Sequence, residues 1–223
     1  MTPHGARAGL IGAVLPTGAV GVEAFGDAGA TPLLPAERDA VARAVPERVA
    51  EYTTGRHLAR TALARFGVPP VAIPTGGDRA PVWPAGFVGS VTHCPGYRAA
   101  AVARSSDLAA LGIDAEPDVP LPAGTLEVVA SDAERAALAA LPPGPAWDRL
   151  LFSVKEAVFK AWHPLMRRWL GFEEADVRPH PDGTATVRLL GPAVEVRGHA
   201  VEVLTAQWRR DRNLLLTCVS VRP

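Results

Sequence analysis

Two acidic side chains near the middle of the chain lie at a spacing that suits a divalent cation. They are Asp114 and Glu116, two positions apart in a segment with the pattern of a strand. Alternate residues of a strand point to the same face, about 6–7 Å apart along it. Mg²⁺ is typically held by a few carboxylates together with waters and substrate phosphates. On spacing alone, a solvated strand end before Pro117 is the better interpretation, because this pattern is common.

A predicted helix further along the chain carries a carboxylate and two cations. Apolar residues recur at helical spacing across residues 147–161 and form a stripe typical of a core-facing helix. Glu156 and Lys160 fall nearly opposite this stripe, where a solvated i,i+4 ion pair would explain them. Two phenylalanines share the side of Lys155, however, and this mixture suits a pocket for a molecule with an anionic and an apolar part. The helix alone supports both interpretations about equally.

The chain has only two lysines, Lys155 and Lys160, and every other strong cation is an arginine. Such a bias is typical of a GC-rich genome that has drifted from lysine to arginine. A lysine that survives can mark a place that needs a compact ammonium group. Chance would also explain two survivors, but their closeness, with Glu156 between them, favours a functional role.

Arginine and histidine candidates lie in the first half of the chain. Arg56 and Arg60 are i,i+4 neighbours on a predicted helix, and Arg48 lies two turns earlier on a broadly similar side. These groups either bind phosphate through paired donors or form an ordinary exposed basic face. His93 ends a short strand before a Pro-Gly turn, where ligand contacts are common. Its neighbour Cys94 has no second Cys/His set at metal spacing, which excludes zinc, and thiol catalysis ranks low.

Composition excludes several classes of protein. The chain has 223 residues, 48% hydrophobic and 21% charged, which excludes disorder, collagen and coiled coil and is enough to bury a core. Its 23 basic and 23 acidic residues give zero formal net charge, which argues against a nucleic-acid or anionic-membrane binder. Two cysteines make no disulfide framework, and no apolar run reaches membrane-helix length. We therefore expect a cytoplasmic protein without a signal peptide.

Helix and strand patterns suggest two similar α+β halves, residues 1–110 and 111–223. Predicted helices cover residues 35–44, 46–66, 132–141 and 146–163, the last resuming beyond Pro164 to Leu170. Predicted strands cover residues 10–14, 87–92, 97–103, 108–114, 185–190, 194–197, 201–208 and 214–221. Residues 104–107 are a plausible hairpin turn between two of these strands.

Several segments together resemble the 4′-phosphopantetheinyl transferases of the surfactin and enterobactin-synthase type, most closely the actinobacterial branch. The family pattern is G-(I/V)-D-x-E followed later by (F/W)-S-x-K-E-(A/S)-x-x-K. This chain has Gly112-Ile113-Asp114-Ala115-Glu116 and then Phe152-Ser153-Val154-Lys155-Glu156-Ala157-Val158-Phe159-Lys160. Further similarity lies in residues 55–60, 89–100 and 168–175. Either motif alone would be weak, but the pair in this order and at this separation is specific.

The resemblance implies a pseudo-twofold α+β fold, with antiparallel sheets packed against helices and coenzyme A in the cleft between the halves. It also implies transfer of the phosphopantetheine arm to a serine hydroxyl of an acyl or peptidyl carrier protein, with release of 3′,5′-ADP. The carrier proteins would belong to fatty-acid, polyketide or nonribosomal peptide synthases. A monomer is expected, because a chain with two halves can form its own cleft.

The resemblance also assigns roles to particular residues. Asp114, Glu116 and Glu156 would hold Mg²⁺ on the pyrophosphate, and Lys155 and Lys160 would contact phosphates. Glu156, or a metal-bound water, is the candidate base for the serine proton, and Lys160 would offset developing charge. The residues expected at the nucleotide are Arg48, Arg56, Thr75, Gly76, Arg79, Thr92 and His93. Phe159, Trp169 and Leu170 would line the path of the pantetheine arm.

Two other functions are compatible with parts of this pattern. A non-catalytic sensor of coenzyme A or a nucleotide could use the same fold, although a sensor does not need three carboxylate ligands. An arginine-rich nucleic-acid-binding module is disfavoured by the zero net charge and by an aromatic content of 6%.

Overall fold

The computed structural model describes residues 9–27 and 29–223, so residues 1–8 and 28 of the predicted first half lie outside the described residues. The first half is a three-stranded antiparallel sheet covered by one long helix. Its strands are β1 (Val20–Ala24), β2 (Phe87–Cys94) and β3 (Tyr97–Arg104), in the order β1-β3-β2. The covering helix is α1 (Pro46–Ala64), and the predicted helix before it is a 3₁₀ helix at Pro35–Val41.

The strand predicted at residues 10–14 is wrong. This segment contains a 3₁₀ helix at Ile11–Ala13. The carboxylate of Glu23 accepts hydrogen bonds from the backbone amides of Leu10 and Ile11, both at 2.8 Å. Because these donors are already bonded to a side chain, they do not pair with a neighbouring strand.

The second half is a five-stranded antiparallel sheet in the order β4-β10-β9-β6-β5, with a separate hairpin of β7 and β8. Its strands are β4 (Ala110–Pro117), β5 (Ala175–Pro179), β6 (Thr184–Leu189), β7 (Val194–Val196), β8 (His199–Val201), β9 (Val203–Asp211) and β10 (Leu214–Val221). Its helices are α2 (Leu126–Val129), α3 (Asp132–Ala139) and α4 (Trp147–Met166). The apolar stripe of α4 packs on this sheet and forms its core, as the periodicity predicts.

The turn at residues 104–107 leads from one sheet to the other, so the predicted hairpin is wrong. β3 pairs with β1 and β2, whereas β4 pairs with β10. Where β2 and β4 meet, side-chain hydroxyls bond the facing backbone. Ser90 accepts from the amide of Ile113 and Thr92 from the amide of Ala115, both at 3.1 Å. These hydroxyls connect the two halves.

The end of one helix and the presence of one strand also differ from the sequence predictions. Helix α4 passes through Pro164 and ends at Met166, and Arg167 takes a left-handed backbone conformation with φ of 53°. This conformation stops the helix, so the predicted continuation to Leu170 is wrong. Strand β5 was not predicted; it is a short strand at the edge of its sheet, where its Pro179 is tolerated.

The described residues, 9–27 and 29–223, include no helix with both the length and the apolar character needed to cross a bilayer.

Gly112 allows strand β4 and helix α4 to approach closely. A Cβ atom at this position would lie 2.0 Å from the carbonyl oxygen of Ala157 and 2.7 Å from the nitrogen of Ala161. Both are backbone atoms of α4, so no side-chain rotation relieves the overlap. The close approach brings Lys160 over β4, where its ammonium donates to the carbonyl of Ile113 at 3.2 Å.

We expect Gly112→Ala to lower the free energy of unfolding by more than about 3 kcal/mol, because the helix must move away from the strand. Urea denaturation measures this. The control is Gly77→Ala, since a Cβ at Gly77 meets nothing within 4 Å. Equal stability of the two variants would contradict the close-approach argument.

Candidate active site

A cleft of about 910 Å³ lies between the two halves. The first half contributes α1, the loop after it and β2, and the second half contributes β4 and α4. The predicted site residues that line the cleft are Arg48, Arg56, Thr75, Arg79, Thr92, His93, Asp114, Glu116, Glu156 and Lys160. The tertiary structure therefore brings together residues that are far apart in the sequence.

Asp114 is buried and bonded on both carboxylate oxygens. Its Oδ1 accepts from the Lys160 ammonium at 2.7 Å and from the Thr92 hydroxyl at 3.1 Å. Its Oδ2 accepts from the Ser153 hydroxyl at 2.9 Å, which in turn lies 2.9 Å from the Thr217 hydroxyl. These partners come from β2, α4 and β10, so the carboxylate is held in one orientation.

Ser153 and Thr217 were not predicted as site residues from the sequence. Ser153 belongs to the F-S-x-K-E motif, which was a signal that could have identified it. Thr217 is the hydroxyl in the middle of the apolar strand β10 and is fully buried. A buried hydroxyl in such a strand needs a partner, but the sequence does not reveal which one.

Glu116 and Glu156 are the other two acidic groups of the cleft. Glu116 accepts from Arg149 at 2.9 Å. Burial raises the pKa of Glu116, and the charge of Asp114 raises it further, while Arg149 opposes the change. Burial also raises the pKa of Glu156; Lys160 lowers it and Asp114 raises it. Both glutamates are therefore disfavoured as anions by burial and by the charge of Asp114, which a bound cation would relieve.

The oxygen donors suit Mg²⁺ by type, since Asp114, Glu116 and Glu156 all line the cleft. Within the described part of the chain, however, no three His, Cys, Asp or Glu side chains are arranged to hold a metal ion. Asp114 is paired with Lys160 and Glu116 with Arg149. The three-carboxylate magnesium set stays a prediction.

A group of arginine and histidine side chains lies on the first-half side of the cleft. Arg48 and the Nε2 atom of His93 are 2.8 Å apart. Burial lowers the pKa of His93, so its neutral ring can accept this hydrogen bond from Arg48. Arg56 donates to the Thr75 hydroxyl at 3.1 Å, and its guanidinium lies 4.2 Å from the ring centre of Tyr52.

Arg56 and Arg60, the i,i+4 pair on α1, differ in their availability to a ligand. Arg56 is buried in the wall of the cleft, and its Nε atom has no hydrogen-bond partner among residues 9–27 and 29–223. Arg60, by contrast, is bonded to the buried carboxylate of Glu37 at 2.7 Å. Arg60 is therefore neither an exposed basic face nor a cleft residue.

The loop at residues 75–80 closes one side of the cleft. The Gly76 amide donates to the carbonyl of Ala80 at 2.8 Å, and the Arg79 amide donates to the carbonyl of Gly76 at 2.9 Å. A Cβ on Gly76 would lie 2.8 Å from the Asp78 carboxylate, so glycine keeps the turn compact. Gly76 itself does not line the cleft, whereas Thr75 and Arg79 do.

A smaller cavity of about 170 Å³ adjoins the cleft and shares Glu156, Phe159 and Trp169 with it. Leu170 and Lys155 line this smaller cavity. Lys155 does not line the larger cleft; its ammonium is buried and bonded to Glu134. Burial lowers the pKa of Lys155, and Glu134 opposes that change. The structure thus separates the two lysines that the sequence places five residues apart.

Two family models match most of this chain. A family model described as the 4′-phosphopantetheinyl transferase N-terminal domain matches residues 36–103. A second, described as the 4′-phosphopantetheinyl transferase superfamily, matches residues 110–218. The chain belongs to this superfamily. It is therefore a transferase, and the family, fold class and enzyme class predicted from the sequence are confirmed.

Several curated relatives are similar to this transferase over most of its length. The 4′-phosphopantetheinyl transferase Svp of Streptomyces mobaraensis is 49% identical over 95% of this chain and 89% of its own. The 4′-phosphopantetheinyl transferase PptT of Mycobacterium tuberculosis is 44% identical over 86% of each chain. A solved structure, Thermotoga maritima holo-[acyl-carrier-protein] synthase, has a TM-score of 0.39 and 15% identity over 52% of this chain and 64% of its own.

Both cysteines of the transferase are buried and free. Burial raises the pKa of Cys94 to about 12, with further increases from Glu116 and Asp114. Burial alone raises that of Cys218 to about 12. Because the thiolate is the nucleophile, a thiol with such a pKa is inert at neutral pH.

We expect neither thiol of the native transferase to react with iodoacetamide at mildly alkaline pH, because almost no thiolate is present. Intact-mass spectrometry counts the added groups. The unfolded protein in urea is the control and should take up two. Fast modification of Cys94 in the folded protein would contradict the expected burial and pKa.

Proposed function

We propose that this transferase moves the 4′-phosphopantetheine arm of coenzyme A to a serine hydroxyl of acyl or peptidyl carrier proteins. These carriers would be domains of fatty-acid, polyketide or nonribosomal peptide synthases, and the second product is 3′,5′-ADP. One observation carries the proposal: a single cleft is lined by three carboxylates and Lys160 from the second half and by arginine and histidine from the first half. A molecule with a diphosphate and a further phosphate matches these two sets of groups.

The reaction is a phosphoryl transfer. The serine oxygen bonds to the β-phosphorus of coenzyme A, the bond from that phosphorus to the bridging oxygen breaks, and 3′,5′-ADP leaves with the electron pair. Such chemistry depends mainly on positioning and on neutralising charge. Glu156 is the proposed acceptor of the serine proton, since it lines both the cleft and the smaller cavity.

The same site is proposed to use Mg²⁺. Asp114, Glu116 and Glu156 would hold the ion, which supplies charge neutralisation to the diphosphate. Lys160 lines the cleft and is only partly buried, so its ammonium is available to phosphate oxygens. Ser153 and Thr92 keep Asp114 in place through their hydrogen bonds.

The other parts of coenzyme A are assigned to first-half residues of the cleft and to the smaller cavity. Arg48, Arg56 and His93 are proposed to bind the 3′-phosphate, supported by the Nε atom of Arg56, which has no hydrogen-bond partner in the described part of the chain. Thr75, Arg79 and Thr92, which line the cleft, would surround the adenosine, while Gly76 would hold their loop through its hydrogen bond to Ala80. The pantetheine arm would lie in the smaller cavity, which is lined by aromatic and aliphatic side chains, including Phe159, Trp169 and Leu170.

We further propose that the enzyme acts as a cytoplasmic monomer of two halves, residues 1–110 and 111–223. Both halves contribute to the cleft, so one chain is enough to form it. Zero formal net charge argues against nucleic acid or anionic membrane as a partner.

We expect the wild-type enzyme, coenzyme A and Mg²⁺ to add one phosphopantetheine mass to an apo carrier protein, and Glu156→Gln to abolish this gain. The substitution removes the proposed base and one proposed metal ligand while nearly preserving size. Intact-mass spectrometry of the carrier measures the product.

The control for that experiment is thermal unfolding of Glu156→Gln, which should resemble wild type. EDTA should stop transfer and excess Mg²⁺ should restore it. Binding of coenzyme A without any mass gain on the carrier would favour the non-catalytic sensor instead. Unchanged transfer by Glu156→Gln would refute the role of this residue.

We expect Arg48→Gln to weaken binding of coenzyme A about tenfold, because one charged contact to the 3′-phosphate is lost. Dephospho-coenzyme A, which lacks that phosphate, should bind both proteins alike. Isothermal titration calorimetry compares the two ligands. Arg38→Gln is the control, since Arg38 does not line the cleft. An equal loss for both ligands would show that Arg48 does not bind the 3′-phosphate.

A further inference from the structure

The ammonium of Lys155 is bonded to protein groups deep in the second half. It lies 3.0 Å from Glu134 Oε2 and 2.7 Å from the carbonyl oxygen of Phe172. Its side chain is 3% exposed and that of Glu134 is 2% exposed. Lys155 lines the smaller cavity and not the larger cleft, and these two bonds use two of the three N–H groups of its ammonium. Moving the ammonium away from Glu134 would leave a buried carboxylate unpaired, which is strongly unfavourable.

Glu134 is itself fixed by two backbone amides. Its Oε1 accepts from Val177 of β5 at 2.8 Å, and its Oε2 accepts from Ser131 at the start of α3 at 2.8 Å. Both oxygens of the carboxylate are therefore used. Glu134 lines neither the cleft nor the smaller cavity. It is a fixed anchor for Lys155, remote from any bound ligand.

The carbonyl of Phe172 links this ion pair to the site. The segment Trp169–Phe172 lines the smaller cavity together with Glu156 and Phe159. Its residues Trp169–Gly171 belong to no helix or strand, so no helical or strand ladder holds them and side-chain contacts help to position them. Glu174 bonds the Gly171 amide at 2.9 Å, and Lys155 bonds the Phe172 carbonyl. The Trp169 ring then packs on Phe159, with ring centres 4.9 Å apart.

We propose that Lys155 is a positioning residue: its ion pair with Glu134 holds the segment Trp169–Phe172 as the wall of the cavity that takes the pantetheine arm. It makes no contact with the phosphates of coenzyme A. This role replaces the phosphate contact that the family resemblance implies for Lys155. It rests on the proposed function, because it requires the arm to lie in the smaller cavity.

A truncated ligand separates the two roles. Adenosine 3′-phosphate 5′-diphosphate keeps every phosphate of coenzyme A but lacks the pantetheine arm. We expect Lys155→Met to raise the Kd and KM for coenzyme A about tenfold, equivalent to about 1.4 kcal/mol. The Kd of the truncated ligand should stay within about twofold of wild type, because only the cavity wall has changed. Lys160→Met should weaken both ligands.

The remote partner supplies a matched variant. Glu134→Gln should reproduce the selective loss of coenzyme A binding, and the double variant should bind no worse than either single one, since both changes release the same segment. A phosphate contact predicts otherwise: Lys155→Met would weaken the truncated ligand as strongly as coenzyme A, and Glu134→Gln would change neither. That result overturns the proposal.

Folding and activity are checked separately. Thermal unfolding of each variant sets a measurement temperature well below its melting point. If Lys155→Met does not fold, Lys155→Gln, which keeps a donor for the Phe172 carbonyl, is compared with Glu134→Gln on the same two ligands. Absence of carrier modification by the wild-type enzyme would refute the proposed function, while the ligand comparison would still decide the role of Lys155.

Discussion

The buried carboxylate of Asp114 is the group on which both the joining of the halves and the chemistry of the cleft depend. A charge removed from water must be paired and hydrogen-bonded, and loss of one partner from a buried pair costs about 3–5 kcal/mol. Here the partners are Thr92 of the first half and Lys160 and Ser153 of α4. Satisfying one side chain therefore fixes how three elements meet.

Four cations of the enzyme show two different uses of positive charge, in lining the cleft and in stabilising the elements around it. Arg48 of the first half and Lys160 of the second half both line the cleft. Lys155 and Arg60 are buried against Glu134 and Glu37, respectively, and so stabilise the surrounding elements. Residue type alone does not distinguish these two groups, because a guanidinium or ammonium suits a phosphate and a carboxylate equally.

The acidic groups of the cleft are balanced internally by Lys160 and Arg149. Glu156 forms no comparable ion pair with the residues that the structure describes, and burial raises its pKa. Glu156 lines both the cleft and the smaller cavity, so in the proposed binding mode it lies where the diphosphate and the pantetheine arm of coenzyme A meet. The arrangement thus links the electrostatics of the site to the shape of its ligand.

The amino-acid sequence by itself determined the family and the α+β class, and it predicted most of the residues that line the cleft. Helical periodicity, proline and glycine boundaries and strand alternation are local properties, so α1, α3, the body of α4 and β2 to β4 were predictable near their observed positions. The paired motifs similarly predicted Asp114, Glu116, Glu156 and Lys160 as neighbours, and all four line the cleft. Only the tertiary structure decided that β4 pairs with β10 instead of β3, and that Thr217 supports Asp114. The tertiary structure also decided that Lys155 pairs with Glu134 and Lys160 with Asp114, although the two lysines lie on the same helix. The reason is physical: sequence spacing sets the direction in which a side chain leaves its helix or strand, but the groups it meets depend on how distant elements pack.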